Sequence, residues 1–146
     1  MRKALVVAQG ARTSGDVPVG AIIINKSGEI IATGHNEREL HQDPTAHAEI
    51  VAIRRASEIV GQWRLEDHTL IVTLEPCAMC AGAIAQSRIS KVIFGAWDEK
   101  AGAVGSLWDL LRDPRSLFKV EVHAGVLADE CSGILKEFIQ EVRKRD

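Results

Sequence analysis

Five short apolar runs, "VGAIIIN", "EIIATG", "TLIVTLE", "KVIFGA" and "KVEVHAG", are distributed along the 146 residues, and most are separated by stretches of helical periodicity. This alternation constrains the fold more than any other feature. Strands so rich in Ile and Val need cover on both faces, which calls for a sheet with helices packed on either side. The first two runs flank "KSG" and predict a β-hairpin. Ala4, Leu5, Ala8 and Ala11 recur at helical spacing and predict a first helix that runs until Ser14-Gly15. Asp43 offers an N-cap with Pro44 at the first helical position, predicting a helix through about Ile59. "CAMCAGAIAQS" reads as a short helix rich in small residues, and "SLWDLL" as a helical piece. A last helix from about Asp129 carries Leu135, Phe138 and Val142 on one face. No linker, repeat or low-complexity segment interrupts this order. The expectation is one α/β domain over residues 1–146: three layers, α/β/α, around a central mixed five-stranded sheet.

The chemistry is concentrated in "LEPCAMCAGAI", residues 74–84. Cys77 and Cys80 open a helix directly after a strand, where unpaired N–H groups and the positive dipole end favour thiolate over thiol. A disulfide, a redox dithiol, a structural zinc knuckle and half of a catalytic metal centre all fit that pair taken alone. "PTAHAEI" adds His47 in the first two turns of the earlier helix. One His and two Cys form a known three-ligand zinc set that keeps a fourth position for water. Glu49, two residues on, would turn about 200° away from His47 on a helix, which suits it to reach water or substrate rather than to ligate. A structural zinc would need a fourth ligand, for which His35, His41, His68 and His123 are available by composition. Cys131, on a helix with Leu135 and Phe138, reads as a small core residue.

Composition narrows the setting. Three cysteines are too few, and odd in number, for a secreted disulfide framework. "ALVVA" is too short for the core of a signal peptide, and no run approaches the length needed to span a bilayer. A reducing, cytoplasmic setting with no membrane association is expected. The net charge of −2 argues against a broadly basic coat for nucleic acid, although local clusters exist at Arg54-Arg55, at Arg88 with Lys91, and at Arg143-Lys144-Arg145. Such clusters also suit plain solvated helix faces.

His-Ala-Glu followed by Pro-Cys-x-x-Cys matches the signature of the zinc-dependent deaminases. With "VPVGAIII", "DPTAHAEI", "TLEPCAMCAGAI", "SRISKVIFGA", "DEKAGAVGSL" and "GVLADECSGIL", nearly the whole chain resembles the bacterial tRNA-specific adenosine deaminases. The resemblance implies a cytidine deaminase-like fold and one zinc ion per chain, held by His47, Cys77 and Cys80. It implies a homodimer that converts adenosine to inosine at the wobble position of an arginine tRNA, gripping the anticodon stem-loop. Glu49 would then shuttle protons, while Asn36 and the backbone at Ala48 hold the flipped base and Asp98 approaches the ribose. On composition alone, Asn36 would suit a turn and Asp98 a loop cap. Two features depart from the relatives. Trp97 stands where they often have a polar or charged residue, placed to stack on a base or to pack, and the chain stops at "VRKRD", short of the longer basic tail several of them carry. The nearest rival function is deamination of a free base or nucleoside such as guanine or cytidine. A non-catalytic zinc or RNA-binding module would leave Glu49 without a role.

Overall fold

All five apolar runs become strands of one sheet in the computed structural model, which describes residues 1–146. β1 (Gly20–Ile24) and β2 (Ile30–His35) pair antiparallel as the expected hairpin. Asn25 closes its turn, its side-chain oxygen accepting from the N–H groups of Ser27 and Glu29 at 3.0 and 2.9 Å. β3 (Thr69–Leu74), β4 (Lys91–Ala96) and the three-residue β5 (Glu121–His123) complete the order β2-β1-β3-β4-β5. β1 and β3 are antiparallel, whereas β3, β4 and β5 run parallel, so the sheet is mixed.

Side chains alternate between two helical layers, as the period of a strand requires. Ala21, Ile23, Leu70, Val72, Val92 and Phe94 face the larger core, shared with α3 (Ala48–Val60) and α4 (Ala78–Gln86). Ile22, Ile71 and Ile93 point the other way, toward α1 (Arg2–Ala8), which continues as a 3-10 turn over Gln9–Ser14 and ends at Gly15. α5 (Ala128–Arg145) lies beside β4 and is tied to the start of the chain by Arg2–Glu130 and Arg12–Glu141 ion pairs, both 2.9 Å. Arg38–His41 forms a single helical turn, α2. No helix is long and apolar enough to cross a membrane.

Two expectations are corrected. α3 starts at Ala48, four residues after the predicted first helical position Pro44. The Ala46 carbonyl is taken by the Glu37 N–H at 2.9 Å, and Asp43 spends its carboxylate on Thr45 in a local turn, so neither joins a helix. "SLWDLL" is not helical either: the N–H groups of Leu107 and Trp108 return to the Gly102 carbonyl, and that of Leu110 to Ala103. By contrast, Cys131 is fully buried beside Gly95, as its setting in the sequence implies.

The close seat of α3 on β2 depends on Gly34, where a Cβ would stand 2.7 Å from the Ala48 carbonyl and the Ala52 nitrogen. Gly34→Ala is therefore expected to lower stability by about 1–3 kcal/mol, as overpacking does. Gly133, inside α5 with open space around it, gives the control: Gly133→Ala should raise stability by about 0.5–1 kcal/mol through helix propensity. Urea unfolding of the two variants beside wild type checks both signs, and a Gly34→Ala protein as stable as wild type would refute the packing argument.

Candidate functional site

Two helix N-termini meet where β3 and β4 end side by side, at the Leu74–Ala96 pairing. Cys77 is the N-cap of α4, and Cys80 is buried in the first turn of that helix. His47 is the N-cap of α3, with extended backbone at φ −67° and ψ 154°, and Glu49 follows in the first turn. The helical-wheel separation expected of His47 and Glu49 thus has a different origin, because His47 lies outside the helix. Its carbonyl accepts the Val51 N–H at 3.0 Å while its ring turns toward α4.

His47 Nδ1 lies 3.6 Å from Cys77 Sγ and 3.5 Å from Cys80 Sγ, and all three donor atoms fall within 4.8 Å of one another. Tetrahedral zinc, with bonds of about 2.3 Å to sulfur and about 2.0–2.1 Å to imidazole nitrogen, separates N from S by about 3.5 Å. The donor set therefore fits zinc in both chemistry and spacing. No fourth protein ligand joins it. His35 contacts the Asn36 carbonyl, His41 pairs with Glu37, His68 contacts the Glu66 carbonyl, and His123 pairs with Glu121. Three protein donors beside a cavity is the pattern of a catalytic zinc rather than a closed structural one. All three cysteines of the chain are free thiols.

Charge in the cluster is strongly coupled. The Cys80 thiol hydrogen-bonds to Cys77 and draws its pKa down to about 3, with His47 adding to the effect and burial opposing it. Cys80, as the donor in that bond and buried, is pushed up correspondingly. His47 is raised by its bond with Cys77, against the opposing effect of burial. Burial also raises the Glu49 carboxyl, which is only 4% exposed. Two thiolates side by side need a cation between them. A dication held by these two sulfurs and a neutral imidazole is balanced in charge.

The cavity over the cluster measures about 230 Å³. His47, Cys77 and Glu49 line it, with Cys80 behind them. Ala48, Asn36 and Asp98 also line it, so the sequence-predicted residues do share one pocket. Asn36 donates from Nδ2 to the Val17 carbonyl at 3.3 Å and accepts the Arg38 N–H at 3.3 Å. Asp98 does cap its loop, its Oδ1 accepting the N–H groups of Lys100 and Ala101 at 3.1 and 3.2 Å, while also facing the pocket. Sequence reasoning missed Arg38, Glu75 and the apolar wall of Val17, Val19 and Leu74. Glu75 carried a usable signal: a carboxylate directly after a buried strand must find partners.

We expect one zinc per chain by elemental analysis of purified protein, and its loss in Cys80→Ala. Chelation of the metal should lower the thermal midpoint, because the ion binds only the folded arrangement. Protein purified without zinc, with a reversible Cys77–Cys80 disulfide, would favour redox chemistry instead.

Comparison with known proteins agrees with this geometry. Residues 1–96 match the model of the cytidine and deoxycytidylate deaminase zinc-binding region. A tRNA-specific adenosine deaminase of Bacillus subtilis is 49% identical over 145 residues, covering 99% of this chain and 89% of that protein. Its counterpart in Haemophilus influenzae is 46% identical, with 99% and 83% covered. Among solved structures, one from work on A-to-I editing by tRNA:A34 deaminases at the wobble position superposes with a TM-score of 0.88 at 42% identity, over 92% of this chain and 97% of that one. The chain therefore belongs to the zinc-binding cytidine and deoxycytidylate deaminase family, within its group of tRNA-specific adenosine deaminases.

Proposed function

We propose that the protein hydrolytically deaminates adenosine to inosine at the wobble position of tRNA, with zinc held by His47, Cys77 and Cys80. The observation that carries this reading is one small cavity whose wall combines that donor set with the buried carboxylate of Glu49. At about 230 Å³ it falls below the roughly 300–1,000 Å³ of sites for drug-sized ligands, and suits a single base turned out of its stack.

Zinc bound there supplies Lewis acidity, making hydroxide available near neutral pH. Glu49 accepts the proton of the attacking water and delivers it to the ring N1, leaving C6 electrophilic. Oxygen adds at C6; Glu49 then takes the proton of the new C6 hydroxyl and passes it to the exocyclic amine, and ammonia leaves as the C–N bond breaks and the C6 carbonyl forms. One carboxylate serves both transfers because its burial keeps bulk water from competing. The base is positioned by groups with capacity to spare. Asn36 Nδ2 keeps a second hydrogen after bonding to Val17. Ala48, the first residue of α3, carries an N–H for which the helix has no internal partner. Asp98 has one carboxylate oxygen not engaged by its own loop, in position for a ribose hydroxyl.

The family likeness supports the anticodon stem-loop of an arginine tRNA as substrate, a homodimer as working form and the cytoplasm as location. Leu107, Trp108, Leu110 and Leu117 are all exposed, an apolar stretch suited to a second subunit. The direct test incubates the zinc-loaded protein with unmodified arginine tRNA stem-loop, free adenosine, guanine and cytidine, and assays inosine and ammonia. Turnover of the stem-loop far above the free compounds is expected, and equal turnover of free adenosine would remove the case for RNA.

Glu49→Gln should keep its zinc and fold while losing turnover by a factor of about 10²–10⁴, the usual share of a positioned proton carrier. A variant with near wild-type rate would refute the role of Glu49. The overall charge of −2 means that RNA must be held by few phosphate contacts, for which Arg143, Lys144 and Arg145 in the last turn of α5 are candidates. Deleting residues 142–146 should weaken stem-loop binding and flatten its salt dependence by about 0.7–0.9 of a log–log unit for each phosphate no longer neutralised, with zinc content unchanged. An unchanged slope would place the RNA grip elsewhere.

A further inference from the structure

Glu75 directly follows β3, two residues before Cys77, is only 2% exposed and faces no cationic side chain. Its partners all come from one distant loop. Oε1 accepts the Asp98 N–H at 3.0 Å, and Oε2 accepts the N–H groups of Val104 at 3.0 Å and Ser106 at 3.1 Å. The Ser106 hydroxyl bridges the assembly, its single proton shared between Glu75 Oε2 at 2.9 Å and the Asp98 carbonyl at 2.7 Å. That carbonyl also accepts the Gly102 N–H at 2.8 Å. Gly102 lies against the carboxylate so closely that an added Cβ would collide with it. The main chain of Asp98 is thus fixed at both its N–H and its carbonyl, and its side chain emerges into the cavity beside Ala101.

We infer that Glu75 is a positioning residue for substrate recognition: it folds the 98–106 loop around its carboxylate and thereby aims Asp98 at the sugar of the bound nucleotide. The inference rests on the proposed function and adds a residue to which no role in that reaction is otherwise assigned. A carboxylate suits the task because the loop presents donors on both of its oxygens, and an anion holds N–H groups more strongly than a neutral acceptor. An amide would not serve. Whichever way a glutamine is turned, its NH₂ meets a backbone N–H, donor against donor, and that strand of the loop is released.

The test is a double-mutant cycle on zinc-loaded protein with the anticodon stem-loop. Glu75→Gln is expected to raise KM by about tenfold, the effect of losing a buried hydrogen bond to a charged group, while kcat and zinc content stay near wild type. Asp98→Ala should raise KM as well, and the double variant should be no worse than the poorer single, because both changes remove the same interaction. A purely structural Glu75 would instead lower stability with KM unmoved, or give KM effects that multiply; either result overturns the inference, as does loss of zinc in Glu75→Gln. Ser106→Ala, which spares the three backbone N–H bonds to the Glu75 carboxylate, provides the milder arm should Glu75→Gln fail to fold: a smaller rise in KM, again non-additive with Asp98→Ala, is required. Stem-loop binding is measured by anisotropy in parallel. A wild-type protein that binds without turnover would therefore defeat the deamination reading alone, and the cycle would still be decided from affinities.

Discussion

The arrangement of this molecule depends on the confrontation of two helix N-termini at one end of a sheet. α3 and α4 each leave their first N–H groups unpaired and carry a positive dipole end, and the sheet delivers both to the same place. In that field two sulfurs, an imidazole and a carboxylate can lie together with little water. The approach is made possible by a missing side chain at Gly34, which lets α3 sit on β2 at backbone contact distance. Once that seat is set, His47 Nδ1 lies within 3.6 Å of both sulfurs with no strain required of the α3 backbone, since His47 precedes the helix in an extended conformation.

The walls of the pocket are loops, and loops need fastening. Two buried carboxylates supply it. Asp16, 1% exposed, accepts the N–H groups of Glu39 and Leu40 at 2.7 and 3.2 Å and the Ser14 hydroxyl at 2.6 Å, which fixes the segment that follows Asn36. Glu75 does the same for the segment that follows Asp98. Burying an anion is costly unless its oxygens are filled, and here they are filled by backbone donors that would otherwise face the same penalty. A third carboxylate, Glu37, is held by Arg55 and His41, both at 3.0 Å, just beyond Asn36. Buried charge is thus placed under the loops on which Asn36 and Asp98 sit.

How much could be read beforehand differs between the site and its supports. The three donors and Glu49 were legible because each sits in a short motif at a recognisable junction, whereas Asn36, Ala48 and Asp98 were singled out only through the family resemblance; all line or back a single cavity. Glu75 stood in plain view two residues before Cys77, and its place after a buried strand signals a need for partners, yet nothing local says which groups supply them. Its partners lie 23 to 31 residues away. Arg38 and Val17 are similar cases: they reach the pocket from loops whose course depends on the packing of the whole.

By itself the sequence determined the strands, the single mixed sheet, the helix that starts at the cysteines and the identity of the metal donors. These follow from residue type and short-range spacing: β-branched runs, a strand-to-helix junction, and the paired H-x-E and P-C-x-x-C motifs. Only the tertiary structure decided where α3 begins and what the segment after Trp97 becomes. Local preference placed a helix start at Asp43-Pro44 and another helix at "SLWDLL". In the folded chain the Ala46 carbonyl is claimed by Glu37, and N–H groups between residues 98 and 108 by Glu75 and Gly102, before either helix can form. Hydrogen bonds to distant groups outweigh a propensity of a few tenths of a kcal/mol per residue, and such partners exist only once the sheet has brought them together.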